Sequence, residues 1–393
     1  ERILHKVKSK YWSTSHKYGL ELPKSVSEAL QIYKRTGTDF WRKAIEKEML
    51  HVRPAFEVQD RGKSAPVGSK WIPCHMIFEV KMDFTRKARF VAGGHWTAPP
   101  VSLTYSSVVA RDSVRLCFLI AALNDLELLA ADIGNAYLNA DTREKVHTTC
   151  GPEFGQQQGC IAIIRKALYG LKSSGAAWRA HLASTLHGMQ FKASLADPDV
   201  WMKPAVKPTG QTYYEYVFVY VDDILVCSVN PVAVMETLGK AYRLKEGSIG
   251  PPTQYLGAQI KPHRFEDMPA HEYWSMSSAK YVKEAVKNLE NDLKKVGKKL
   301  PSSRITTPLQ YGYRPELDVS PLLNAEHTTF YQQLIGILRW AMELGRIELH
   351  CSVALMAQYL AAPREGHLNQ VYHIFAFLKA YDRSRIVMDA SRP

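Results

Sequence analysis

The sequence predicts a mixed α+β fold, and three observations carry that prediction. Residues 67–91 and 213–228 are apolar stretches that fold back on themselves as β-hairpins. Residues 177–189 and 278–299 place apolar side chains three or four apart, on one face of a helix. After residue 329 the pattern is helical, with segments at 329–344, 351–360 and 368–381.

The elements follow in chain order. Residues 1 to about 60 form a charged lead segment. It contains one amphipathic helix over 39–51, with Phe40, Trp41, Ile45 and Leu50 on one side. The 67–91 hairpin has Trp71, Ile77, Phe78 and Val80 on one arm and Phe90 and Val91 on the other. Its tip is crowded by Lys81, Arg86, Lys87 and Arg89. A buried helix over 113–123 starts with a cap at Asp112 or Ser113. Next, residues 128–138 form a strand that ends near Asp132 and turns into a short helix. The 177–189 helix carries Trp178, Leu182 and Leu186. After Gly250-Pro251-Pro252 the composition shifts to a helix with an apolar stripe of Val282, Val286, Leu289, Leu293 and Val296. Eight Lys or Arg stand against three acids between Lys280 and Arg304, which suits a solvated face or a face that tracks nucleic acid. A linker rich in Pro, Ser and Thr spans 301–321.

The totals narrow the function classes. A chain of 393 residues with 46% apolar side chains has material for two or three domains. Its net charge of +13 favours polyanionic partners. Its six cysteines form no Cys-x-x-Cys pair, which argues against a disulfide framework and fits a reducing compartment. His147, Cys150 and Cys160 lack a fourth ligand for zinc. No apolar run reaches the ~18 residues of a membrane span. The first residue is Glu1, and the expectation is a piece of a longer polyprotein.

The chemistry concentrates in Tyr220-Val221-Asp222-Asp223. Two acids sit there between apolar runs that read as buried strands. Burial and mutual repulsion both penalise two ionised carboxylates. A plain hairpin turn is the simplest alternative, but no Gly or Asn accompanies the pair as a tight two-residue turn usually wants. A third carboxylate, Asp132, also ends an apolar strand. Three carboxylates meeting at strand ends suit a hard, oxygen-seeking ion such as Mg²⁺. Two such ions about 4 Å apart are the machinery of nucleotidyl transfer.

Tyr220-Val221-Asp222-Asp223 resembles the Tyr-x-Asp-Asp box of reverse transcriptases. Its flanking series strengthens the likeness. Lys87-Ala88-Arg89-Phe90-Val91-Ala92-Gly93-Gly94, Asp132-Ile133-Gly134-Asn135-Ala136-Tyr137-Leu138 and Ala167-Leu168-Tyr169-Gly170-Leu171-Lys172 precede the box. Tyr255-Leu256-Gly257, Tyr331-Gln332-Gln333-Leu334-Ile335-Gly336 and Pro363-Arg364-Glu365-Gly366-His367 follow it. The series is similar to the copia-type reverse transcriptase of LTR retrotransposons, from about residue 40 to about 389.

The resemblance implies a right-hand polymerase fold with fingers, palm and thumb. Fingers and palm would span 61–245, primer grip and thumb 246–305, and a helical connection-like segment 306–393. Asp132, Asp222 and Asp223, with the Ile133 carbonyl, would bind two Mg²⁺ ions, or Mn²⁺, while a primer 3′-hydroxyl attacks a deoxynucleoside triphosphate. Tyr137 resembles the aromatic gate that leaves no room for a 2′-hydroxyl; the alternative is a core aromatic. Lys81, Lys87 and Arg89 resemble the cations that close on the triphosphate, and their alternation along a strand does not choose between them. Tyr169 matches the lining of the nucleotide pocket, or a packing residue. Tyr255, Leu256 and Gly257 resemble the primer grip. Implied partners are an RNA or DNA template with primer, dNTPs, and a Gag-Pol-like polyprotein that also carries integrase and ribonuclease H; no membrane is expected. The implied location is the cytoplasm, in a virus-like particle, or the nucleus. No ribonuclease H domain follows in this sequence, so cleavage of a hybrid's RNA strand by that route is not expected of it.

Two segments depart from the pattern. Gly93 stands where many copia-type members have Lys, and Lys172-Ser173-Ser174-Gly175 stands where many have Lys-Gln-Ala-Pro or Lys-Gln-Ser-Pro. Neither change touches an acid. The competing readings are an inactive remnant that only binds nucleic acid, and a nuclease with an acid-rich site. A nuclease would not explain the Tyr137 spacing or the basic helix.

Overall fold

The computed structural model describes residues 16–17, 20–80, 85–98, 104–266, 268–302 and 305–389. The first part is built from β1 (His16–Lys17), β2 (Leu20–Glu21), α1 (Val26–Thr36), α2 (Phe40–Val52), β3 (Phe56–Val58), β4 (Lys70–Trp71), β5 (Cys74–Val80) and β6 (Arg86–Ala92). Next come α3 (Arg111–Leu123), β7 (Glu127–Asp132), β8 (Val146–Thr149), β9 (Ile161–Ile164) and α4 (Ser174–Gly188). They are followed by β10 (Lys192–Ala193), β11 (Val200–Val206), β12 (Thr212–Tyr220), β13 (Asp223–Ser228) and α5 (Pro231–Ala241). Then β14 (Gln254–Tyr255), β15 (Ala258–Phe265), β16 (Met268–Ser277), α6 (Ala279–Lys295), α7 (Ala325–Glu343), α8 (His350–Ala357), α9 (Glu365–Ala380) and β17 (Arg385–Met388) complete the chain. The mixed α+β class is as the hairpin and helix patterns predict.

A five-stranded antiparallel sheet, ordered β10-β11-β12-β13-β7, is the centre of the molecule. Alternation along its strands sorts side chains to two faces. Ala131, Ile133, Val217, Val219, Ile224 and Val226 turn to one face, where α4 supplies Trp178, Leu182 and Leu186 and α5 supplies Val234, Met235 and Leu238. Leu128, Phe218, Leu225 and Cys227 turn to the other, against Cys117 and Phe118 of α3 and Tyr255, Ala258 and Ile260 of the sheet β14-β15-β16-β17. Burial on both faces is why these strands read as continuous apolar runs. Each buried Leu or Phe contributes roughly 1.5–3 kcal/mol relative to exposure.

Two satellites flank this centre. The β5–β6 hairpin, α1, α2 and the sheet β3-β9-β8-β4 enclose one core around Trp41, Phe78 and Phe90. Helices α6, α7, α8 and α9 enclose another around Leu289, Tyr331, Val353 and Phe375. The boundary expected at 305 therefore falls inside a single hydrophobic core, because α6 needs the later helices to cover its stripe. The tail also adds a strand: β17 pairs with β16, Trp274 opposite Met388.

Several local expectations are corrected. On α2 the buried face is Trp41, Ile45, Met49 and Val52, while Phe40 and Leu50 are exposed. Phe40 instead lies under the Arg86 guanidinium, 4.5 Å from ring centroid to Cζ. The cap of α3 is not Asp112 or Ser113. The Asp197 carboxylate, from another segment, accepts from Ala110 N–H (2.9 Å) and the Ser113 hydroxyl (2.7 Å). Trp71 leaves the hairpin for β4, which pairs in parallel with β8. Val296 is exposed beyond the end of α6.

Candidate active site

The three acids meet where two adjacent strands of the central sheet end. Tyr220 pairs with Asp223 across the β12–β13 hairpin, and Asp223 pairs with Asp132 of β7. The hairpin is thus a two-residue turn, Val221-Asp222, although it has neither Gly nor Asn. Val221 takes a left-handed φ of 59°, a conformation costly for a β-branched residue. Contacts from outside the turn hold it there. The Trp178 indole N–H donates to the Val221 carbonyl (2.7 Å), and Ile133 N–H donates to the Asp222 carbonyl (2.8 Å).

The electrostatics are those of crowded carboxylates. Partial burial, then the charge of Asp132, raises the Asp222 carboxyl above its ordinary range, with relief from Lys245. Burial, then the charges of Asp222 and Asp132, pushes Asp223 up to about 6. The relief comes from a cation that sequence reasoning missed. Lys245 Nζ contacts Asp132 Oδ1 and lies 3.6 Å from Asp222 Oδ2. Its only sequence signal is a place in the mixed segment after α5.

An all-oxygen donor set under mutual repulsion fits a hard divalent cation. Among the described residues, however, no three His, Cys, Asp or Glu side chains are gathered as a ready metal site. Lys245 lies between two of the three carboxylates. The His147 Nδ1 shares a hydrogen bond with the Ser69 hydroxyl (2.9 Å).

Two tyrosines close the site on one side. The rings of Tyr137 and Tyr169 lie 4.8 Å apart. Burial and then the charge of Asp222 raise both phenols, Tyr169 to about 12. The Tyr169 loop is seated by a close backbone approach. Ala92 N–H donates to the Tyr169 carbonyl (2.7 Å), and a Cβ on Gly170 would lie 2.0 Å from the Ala92 carbonyl. A Cβ on Gly94 would likewise meet the Gly170 carbonyl at 2.2 Å. Sequence reasoning missed that role for Gly94 and Gly170, whose signal is the two Gly-containing motifs themselves. Gly93 is tight too, with Pro73 2.9 Å from a Cβ there, so a lysine at that place would not fit this backbone unchanged.

The cations divide by face. Ala88, Phe90 and Ala92 of β6 are buried, so Lys87 and Arg89 share the opposite face rather than alternating. The Arg89 guanidinium lies 5.9 Å from the Tyr169 ring. Lys81 lies outside the described residues. Tyr255-Leu256-Gly257 lies beneath the acids, where burial and then the charge of Asp223 raise the Tyr255 phenol. Tyr255 is 4% exposed in the core beneath the central sheet, and Leu256 and Gly257 form a tight turn with φ of 49° and 89°. The turn therefore requires Gly257 for its own backbone. A cavity of about 750 Å³ between α6 and α7 shares no lining residue with the acid cluster.

Comparison with known proteins bears on this geometry. Residues 56–291 match the family model described as reverse transcriptase (RNA-dependent DNA polymerase). The Pol polyprotein from transposon TNT 1-94 of Nicotiana tabacum, described as retrovirus-related, is 23% identical over 84% of the chain and 24% of its own length. The transposon Ty1-NL2 Gag-Pol polyprotein of Saccharomyces cerevisiae is 28% identical over 81% of the chain and 18% of its own length. The chain thus spans about a quarter or less of these relatives. A foamy viral protease–reverse transcriptase, solved with double-stranded DNA, overlays 87% of the chain and 48% of its own with a TM-score of 0.45 and 13% identity.

Proposed function

The chain belongs to the reverse transcriptase (RNA-dependent DNA polymerase) family, and from that premise we propose that it extends a primer on an RNA or DNA template. The observation that carries the proposal is the convergence of Asp132, Asp222 and Asp223 at paired strand ends, beside Tyr137 and Tyr169. In this reading the five-stranded sheet is the palm, the β5–β6 hairpin belongs to the fingers, and α6 to the thumb. The copia-type relatives support a place within a Gag-Pol-like polyprotein.

Asp132, Asp222, Asp223 and the Ile133 carbonyl would hold divalent cations, Mg²⁺ or Mn²⁺. Bound there, the cations would make the primer hydroxyl more acidic and neutralise phosphate charge. The chain's own residues do the rest. The Trp178 and Ile133 hydrogen bonds fix the turn, so the carboxylates are positioned before substrate arrives. The Tyr137 ring, beside Asp222, would pack under the incoming sugar and exclude a 2′-hydroxyl. Arg89, beside the Tyr169 ring, and Lys87 on the same strand face would meet the triphosphate. A primer would meet the Leu256-Gly257 backbone and not the buried Tyr255 phenol. The 3′-hydroxyl gives up its proton to solvent, its oxygen bonds to the α-phosphorus, the bond from the α-phosphorus to the bridging α–β oxygen breaks, and pyrophosphate leaves.

The test is primer extension on an RNA template with Mg²⁺ and dNTPs, comparing the parent with Asp222→Asn. Extension by the parent and none by the variant is expected. Primer–template bound without extension by either protein would instead favour the remnant that only binds nucleic acid. Equal extension by both would overturn the site assignment.

A further inference from the structure

Lys245 is held at the acid cluster by its backbone. The segment after α5 runs antiparallel to the end of β7 and is bonded to it at two isolated bridges, Ile133 opposite Leu244 and Ala130 opposite Gly250. Gly134 N–H donates to the Arg243 carbonyl and Lys245 N–H to the Asp132 carbonyl, both at 2.8 Å. The Ser248 hydroxyl accepts from Asp132 N–H (3.1 Å) and donates to the Lys245 carbonyl (2.7 Å). Gly250 and Ala130 then exchange two bonds (2.8 and 3.1 Å). This ladder fixes the Lys245 Cα beside Asp132 and leaves a flexible stem to reach Asp132 and Asp222 together. An ordinary surface ion pair needs no such support and is worth little. The Lys245 side chain is also 47% exposed, so it has a route out to solvent.

We propose that Lys245 is a built-in counter-cation of the acid cluster, which holds Asp132 and Asp222 together and which incoming divalent cations must displace. The proposal rests on reading the cluster as a divalent-cation site. A single ammonium cannot neutralise three carboxylates, so exchange for divalent charge is favoured. The competition nevertheless weakens divalent binding and makes the protein less dependent on it. A lysine suits this role because its head is a compact charge on a flexible stem.

Two measurements without nucleic acid test it. In the first, Mn²⁺ binding is read by electron paramagnetic resonance for the parent, Lys245→Met and Asp222→Asn. The expected result is binding roughly tenfold tighter in Lys245→Met, the usual influence of one adjacent unit charge on a carboxylate equilibrium. Asp222→Asn should bind weakly or not at all. In the second, Lys245 in the parent is acylated and quantified by mass spectrometry. Its labelling should rise several-fold on Mn²⁺ loading, while that of Lys240 stays constant. This arm needs no variant, so it decides the matter even if Lys245→Met does not fold. Unchanged Mn²⁺ affinity in Lys245→Met, or unchanged labelling when Mn²⁺ is bound, would overturn the proposal and leave the divalent site standing. No Mn²⁺ binding by either the parent or Lys245→Met would overturn the divalent site itself, and the counter-cation with it.

Discussion

Two hairpin turns in this molecule share a length and a backbone strain, and differ in what holds them. Val221-Asp222 and Leu256-Gly257 are both two-residue turns, and each begins with a bulky residue at positive φ, 59° and 49°. Such a residue costs of order 1–3 kcal/mol. In the second turn Gly257, at φ 89°, takes the other left-handed position freely, so local sequence carries most of the turn. The first has no glycine. It depends on Trp178, 43 residues earlier, and on Ile133 of the neighbouring strand. Strain borne by tertiary contacts goes with a turn that must deliver side chains. Strain borne by glycine goes with a turn that offers only backbone.

The largest effect that would sharpen this contrast is at the acids. Asp223→Asn is expected to lower primer extension by at least about 10³-fold, the scale on which preorganised charge acts. The same change should make the fold more stable. The Asp223 carboxyl titrates near 6 in the folded chain against about 3.9 when unfolded. Its contribution is therefore fully favourable below about 4 and is lost as pH rises through 6. In chelator, the melting temperature of Asp223→Asn should accordingly gain on that of the parent as pH rises from 4 to 7, on top of whatever slope the other carboxylates give both proteins. A variant both inactive and less stable at pH 7.5 would contradict the account of crowded charge.

A smaller effect is expected at the buttress. Trp178→Phe removes the indole donor, leaves the Val221 carbonyl unpaired and keeps most of the ring packing. The cost is roughly 1–3 kcal/mol, read from urea unfolding. Extension should fall more than this loss of fold explains at temperatures where the variant stays folded, because the turn carrying Asp222 loosens. Gly257→Ala is the counterpart at the other turn. Leu344 at 3.7 Å leaves room for a methyl, so the penalty is that of φ alone, about 1–2 kcal/mol. It should raise KM for primer–template more than it lowers kcat.

The same contrast explains what was legible in the sequence. The strands under the acids were legible because their apolar runs are continuous, and the acids because they interrupt those runs. The tight Val221-Asp222 turn was not legible, since its residues contradict local turn chemistry and its support is distant. Lys245 was hidden for a related reason. It belongs to a segment of no periodicity whose position comes from bonds to β7, so charge alone did not distinguish it from the other lysines. The face of α2 was misjudged because Phe40 is apolar yet serves Arg86 at the surface. The boundary near 305 was drawn from linker composition, whereas the helices on either side bury their apolar residues in one core.

The smallest stability effect is expected from relieving the strain itself. Val221 and Leu256 are each half-buried against neighbouring cores. Glycine at either place removes the positive-φ penalty, but it loses packing and gains freedom in the unfolded chain. These terms are of similar size, about 1 kcal/mol each, so Val221→Gly and Leu256→Gly should both unfold within about 1 kcal/mol of the parent. Their activities should nevertheless separate. Val221→Gly frees the turn from which Asp222 projects and should cut kcat by roughly tenfold, since small misplacements of reacting groups are costly. Leu256→Gly loosens a turn that bears no acid and should leave kcat near the parent value while weakening primer–template binding. Equal kcat losses in the two variants would mean that the strained residue does not distinguish the turns, and that the Trp178 buttress alone orients the acids.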